Sequence, residues 1–191
     1  MPRPSRREDI IKTAIRLFSQ HGFHNTGVDL VMIEAKVSKK TLYTYFRSKD
    51  ELILAALQSY DGLFRNSFMK QVDKLATKPE EKLLAVFDVA KTWFMQDNFF
   101  GCMFINVVGE YSDKDTPTRK IAQHFKMQMH KFIESQCVKT KAKHPAVLAE
   151  ELALLLEGAI VTAQVSGNVA SAMAAKRAAA ALIKLYTSAK T

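Results

Sequence analysis

Glycine and proline are scarce in this chain, at seven and five of 191 residues. A β-sandwich or barrel needs evenly spaced turn signals, and these residues cannot supply them. Cysteine is scarcer. Cys102 and Cys137 make no disulfide framework and show no metal-ligand spacing, which points to a reducing, cytoplasmic setting. No apolar run follows Met1-Pro2-Arg3-Pro4-Ser5-Arg6-Arg7, so no leader peptide is expected. The longest apolar stretch, Leu152 to Val165, is broken by Glu157 and Gln164. It is too short to cross a bilayer and reads as a buried helix, so no membrane partner is expected. The marks of catalysis are missing too. There is no nucleophile elbow, Gly-rich phosphate loop, ligand cluster or carboxylate pair. The neighbours Glu150 and Glu151 would face apart on a helix. His124 and His130, six apart, would sit on different faces. No catalytic residue, cofactor or metal is therefore expected.

What is present favours helix. Hydrophobic residues make up 48% of the chain, and Ala, Leu, Lys and Met are good helix formers. The net charge is +9, and residues 1–50 alone carry +5 of it. A basic excess suggests nucleic acid or another anionic surface.

Start and stop signals predict about nine helices and an all-α fold. Ser5-Arg6-Arg7-Glu8 has capping-box spacing, and Gly22 stops the helix it opens. Asn25 or Thr26 can cap a short second helix through Val28, Val31, Met32 and Ala35. A break at Lys36-Val37 precedes Ser38, which can cap a third helix, Lys39 to Tyr45. Ser48-Lys49-Asp50-Glu51 opens a long fourth helix towards Leu75. Thr77-Lys78-Pro79-Glu80 starts a fifth, expected to end near Asp97-Asn98. Gly101 to Tyr111 is short and apolar. Pro117 starts a seventh helix and Pro145 an eighth, ended by Gly167-Asn168, and an Ala-rich ninth runs from Val169 to Ser188.

Two short helices with a tight turn, followed by a capped long helix, form a helix-turn-helix pattern. A helix that reads DNA must offer polar residues early and keep one apolar face for docking. Lys39, Lys40, Thr41 and Thr44 meet the first need, and Val37, Leu42 and Phe46 the second. Lys49 falls in the first turn of the fourth helix, where free N–H groups attract anions. Thr26 offers the same at the second helix. Tyr43 and Tyr45 can give O–H to phosphate while their rings pack.

The run Val37-Ser38-Lys39-Lys40-Thr41-Leu42-Tyr43-Thr44-Tyr45-Phe46-Arg47-Ser48-Lys49-Asp50-Glu51-Leu52 resembles the recognition-helix signature of the TetR/AcrR family of transcriptional regulators. Ala14-Ile15-Arg16-Leu17-Phe18, then Gly22-Phe23 and Thr26, resembles that family's first helix and the entry to its second. The resemblance covers about residues 8 to 54. Three residues depart from it: Met32 stands at a usually small position, Lys36 at a turn glycine, and Lys40 at a frequent glycine. By resemblance, Thr26, Tyr43, Tyr45 and Lys49 would contact phosphates of double-stranded operator DNA, and Lys39, Lys40, Thr41 and Thr44 would face the groove. The implied division is a DNA-binding headpiece, 5–66, sharing its long helix with an effector-binding and dimerisation domain, 67–191. The implied activity is a repressor released by a small-molecule effector, acting as a homodimer through the last two helices.

Two apolar faces suit such a dimer. One holds Leu148, Leu152, Leu155, Leu156, Ala159, Ile160 and Ala163; the other holds Ala172, Ala175, Ala179, Leu182, Ile183 and Tyr186. The alternative is that both faces fill a monomer core. Eleven of the 18 aromatics lie between Phe64 and Phe132. An effector pocket of the family's kind would draw on these and on nearby Met residues. Phe64, Phe68, Trp93, Cys102, Phe104, Phe125 and Met129 are the candidates, with ordinary core packing as the alternative. Cys102 could sense thiol chemistry or be an inert buried side chain. His21 and His24 lie near the headpiece and could touch phosphate. A helical basic enzyme and a non-specific DNA-coating protein are the competing functional readings.

Overall fold

The computed structural model describes residues 5–111 and 113–188. The first four residues, part of the leader argument, lie outside them. The described residues form nine helices: α1 Arg6–His21, α2 Val28–Ala35, α3 Lys39–Tyr45, α4 Lys49–Leu75, α5 Pro79–Phe94, α6 Met103–Glu110, α7 Pro117–Lys139, α8 Pro145–Ser166 and α9 Ser171–Thr187. None of them is long and apolar enough to cross a membrane.

The capping chemistry explains most boundaries. At α1 the Glu8 N–H donates to Ser5 Oγ and the Ser5 N–H to Glu8 Oε2, a complete capping box. Gly22 closes α1 at φ 82° and ψ 167°, a backbone region open essentially to glycine alone. Ser48 Oγ accepts from the Glu51 N–H at the start of α4. Thr116 Oγ1 accepts from the Arg119 N–H at α7.

Several boundaries differ from expectation. The cap of α2 is Gly27, with no side-chain bond, because the Thr26 hydroxyl turns inward. The cap of α5 is Lys78 rather than Thr77, with Pro79 already in the first turn, and the helix ends at Phe94, short of Asp97-Asn98. The ninth helix starts at Ser171, after a turn in which Asn168 Oδ1 accepts from the Ala170 N–H.

The helices gather into two compact units. One holds the chain through Phe64 together with Cys102–Phe125; the other holds Arg65–Gly101 and the chain from Lys126 on. In the first, α1, α2 and α3 pack on one another. Ile10, Ala14, Leu17, Val31, Leu42, Phe46, Leu52 and Ile53 are buried, and Phe18 stacks on Phe23 at 5.0 Å between centroids. Segment 102–125, which includes α6, belongs to this unit although about forty residues separate it from the headpiece in sequence.

In the second unit α8 and α9 pack together and against α5. Leu148, Leu152, Leu156, Ala159, Ile160 and Ala163 are buried, as are Ala172, Ala175, Ala179 and Ile183. Most of each apolar face expected at a dimer contact therefore packs into the chain's own core, with Leu155, Leu182 and Tyr186 half-buried. A different face of α8 stays outside: Leu154 is 73% exposed and Val165 82%, with Val161 beside them. Lys176 Nζ bonds both Asp88 oxygens at 2.7 Å, tying α9 to α5, and Lys126 pairs with Glu157.

Candidate nucleic-acid interface

The α2–α3 turn is built without the expected glycine. Lys36 adopts φ 53° and ψ 48°. Its N–H donates to Ile33 O at 3.1 Å, and the Val37 N–H donates to Met32 O at 3.0 Å. This is a Schellman closure, which needs a left-handed residue where lysine stands. Arg16 reaches across from α1 to Glu34 of α2 at 2.6 Å.

Ser38 then starts α3, its Oγ accepting from the Thr41 N–H at 3.1 Å. The face carrying Leu42 is buried, and Phe46 just beyond the helix is buried too, with the Arg7 guanidinium over its ring. The opposite face is open. Lys39, Lys40, Tyr43, Thr44 and Tyr45 are exposed, Tyr43 at 42%. Thr41 is half-buried, its hydroxyl 2.9 Å from Ser38 Oγ. The Thr44 hydroxyl donates to Lys40 O at 2.8 Å. Its free lone pairs can therefore accept from an amino group on a base edge. No acidic residue balances Lys39 and Lys40 in the first turn of α3. Cations there oppose the helix dipole, so an outside anion would stabilise the turn.

Lys49 sits half-buried at the start of α4, its ammonium donating to His24 O at 3.1 Å. The other two N–H bonds of an ammonium suit a phosphate. Thr26 is a correction. It is fully buried, and Oγ1 donates to Gly22 O at 2.6 Å and Leu17 O at 3.3 Å. It braces the loop, and its side chain does not face a duplex.

One residue of this unit had no role in the sequence analysis. The Phe23 N–H donates to Glu110 Oε1 at 2.8 Å and the His24 N–H to Glu110 Oε2 at 2.6 Å. His24 Nε2 lies 2.9 Å from Glu110 O. A carbonyl only accepts, so the proton is on Nε2. The His24 ring stacks on Tyr111 at 4.6 Å. Burial, then the nearby Asp50 and Glu110 carboxylates, raise the Tyr111 hydroxyl above its ordinary range. The partners are 86 and 87 positions apart, beyond the reach of any spacing rule.

The aromatic candidates divide. Phe104 stacks on Phe125 at 4.0 Å, Phe64 lies 6.0 Å from Phe125, and Tyr60 joins Phe64 and Phe104 at 5.5 and 5.9 Å. Cys102 is buried at the cap of α6 beside the Tyr60 hydroxyl, which burial raises well above its usual range. Trp93 belongs to the second unit, where it meets Phe94 and Phe99. Phe68 and Met129, also in that unit, are buried. Among the described residues no three His, Cys, Asp or Glu side chains gather as a metal site.

Comparison with known proteins places this geometry. Residues 10–56 match the model of the bacterial regulatory proteins of the tetR family, and residues 79–182, over half the chain, match the tetracyclin repressor-like C-terminal domain. The HTH-type transcriptional regulator YjdC of Escherichia coli is 25% identical over 181 residues, 93% of each chain. The HTH-type regulator YerO of Bacillus subtilis is 38% identical over 79 residues, but these make up 41% of this chain and 27% of that protein. A TetR-family regulator from Streptomyces coelicolor superposes with a TM-score of 0.88 at 22% identity, covering 96% of both chains, which speaks to the fold. With the helix-turn-helix at its N-terminal end and the matching C-terminal domain behind it, the chain belongs to the TetR family and is a DNA-binding transcriptional regulator.

Proposed function

We propose that this chain is a cytoplasmic homodimeric repressor, which binds operator DNA through α3 and leaves it when a small molecule binds. One observation carries the DNA assignment. α3 buries Leu42 and turns Lys39, Lys40, Tyr43 and Thr44 outward. Lys39, Lys40, Thr41 and Thr44 read the groove, while Tyr43, Tyr45 and Lys49 hold the phosphate strand. DNA contact is assigned to residues 5–66, and effector and dimer contacts to 67–191 with Phe64 of the shared α4 added to the effector contacts, a division of labour that cuts across the compact units.

An apolar, flat effector would suit the Phe64, Phe104 and Phe125 group, the candidates that stand together. Phe68, Trp93, Cys102 and Met129 stay candidates for the same ligand. Release needs the ligand to favour a DNA-incompetent arrangement. Moving the population from 99:1 to 1:99 takes about 5.5 kcal/mol of differential affinity.

The test uses a duplex selected by the wild-type protein from a random library. Lys49→Ala and Tyr43→Ala should each weaken binding, and Lys49→Ala should lower the log–log salt slope by about 0.9. Wild-type affinity in both variants contradicts the assignment. Random duplex that competes equally would favour a non-specific DNA-coating protein.

A further inference from the structure

The carboxylate of Glu110 occupies two successive backbone N–H groups in the α1–α2 loop. Consecutive amides turned to one side form an anion-binding concavity, and here the protein fills it with its own side chain. The loop is shaped to receive it. A Cβ on Gly22 would lie 2.9 Å from Glu110 Oε1. The residue held most closely, His24, also presents its carbonyl to the Lys49 ammonium. A single loop residue therefore joins the last turn of α6 to the first turn of α4.

Simple electrostatics gives this carboxylate the wrong sign. Glu110 is a negative charge in the unit that must approach phosphates, so its removal should tighten DNA binding. Its bonds suggest the reverse. Without them two amides lose their acceptor, and the His24 carbonyl that orients Lys49 loses its anchor.

We propose that Glu110 is a positioning residue for DNA binding: it holds the loop through Phe23 and His24 so that Lys49 is aimed at the phosphate strand. Glu110 itself touches no DNA. The inference rests on the reading of Lys49 as a phosphate contact.

The experiment is a double-mutant cycle on the selected duplex with wild type, Glu110→Gln, Lys49→Ala and the double variant, with thermal unfolding of each. A glutamine amide offers one acceptor where two N–H groups ask for one each. Glu110→Gln should weaken binding about tenfold in the wild-type background and have almost no further effect once Lys49 is gone. A residue that only supports the fold would lower affinity equally in both backgrounds. Glu110→Asp, which keeps the charge but is one methylene shorter, runs the same cycle should Glu110→Gln not fold. Equal losses in both backgrounds, or unchanged or tighter binding by a folded Glu110 variant, overturn the proposal and leave the DNA reading standing. Wild-type affinity in Lys49→Ala overturns the proposal together with the reading of Lys49 as a phosphate contact.

Discussion

A lysine in the left-handed region costs roughly 1–2 kcal/mol more than a glycine there, since its Cβ crowds the following carbonyl. Lys36 accepts that cost at the α2–α3 turn. Glycine removes the strain but gains about 0.5–1 kcal/mol of unfolded-chain entropy. Lys36→Gly should therefore raise stability by only about 0.5 kcal/mol, whereas Lys36→Val should lower it by about 1–2 kcal/mol, since a β-branched residue fits this region worse. Urea midpoints decide between these signs. Gly22 has less latitude, with a backbone that side chains avoid and Glu110 in the path of a Cβ. Gly22→Ala should cost about 2 kcal/mol or more in the same measurement. Cys137 predicts a pH dependence. Burial pushes its thiol from 9.0 up to about 12. Between those values the unfolded chain has lost the proton and the folded chain keeps it, so stability falls as pH rises from about 9 to about 12 and is fully present below. Unfolding of Cys137→Ala over that range should show a shallower decline.

At the scale of elements, α3 is seven residues long and depends on its ends. Ser38→Ala removes the one side-chain cap bond and should cost about 1 kcal/mol. Its operator affinity should drop while the salt slope stays, because no phosphate contact is lost. Lys39→Glu and Lys40→Glu should behave oppositely in two assays. Each puts an acid where the helix dipole favours one, raising stability by about 0.3–1 kcal/mol, and each should abolish operator binding. Higher melting temperature with lost binding marks residues kept for a ligand; lower melting temperature would remove them from the interface. These local rules are also why so much was legible. Ser5, Gly22, Ser38, Ser48 and the prolines at Pro79, Pro117 and Pro145 signal boundaries within a turn of themselves, and the structure has helices where they signal. Thr26 and Glu110 escaped those rules for one cause. Thr26 has cap chemistry, but two carbonyls of α1 and its exit compete for its hydroxyl. That competition exists only once the headpiece is folded. Glu110 acts at a distance of 86 positions and looks like an ordinary solvated acid at the end of α6.

For the whole molecule, the question is what covers the outer face of α8. Leu154, Val161 and Val165 recur at helical spacing and lie outside the core, and Leu154 also lines a groove with Gly158 and Thr162 of α8 and Ala174 and Ala178 of α9. Small residues let another helix approach closely, and a two-fold axis would set this patch against its copy, since an isologous contact uses one surface twice. The sequence drew attention to the other stripe, Leu148 to Ala163, because a helix hydrophobic on most sides does not say which side faces its own chain. The two stripes respond differently to charge. Leu152→Lys, at 1% exposure, puts an unpaired cation in the core and should unfold the chain. Leu154→Lys combined with Val161→Lys removes no buried contact of the single chain, so circular dichroism should keep its helical signal. Sedimentation should then show a monomer at concentrations where wild type sediments as the proposed dimer. The monomer should bind the selected duplex on the order of a hundredfold more weakly, because it engages half-sites one at a time. A double variant that still sediments as a dimer would move the interface elsewhere. One that is monomeric yet binds DNA like wild type would mean that a single reading helix suffices.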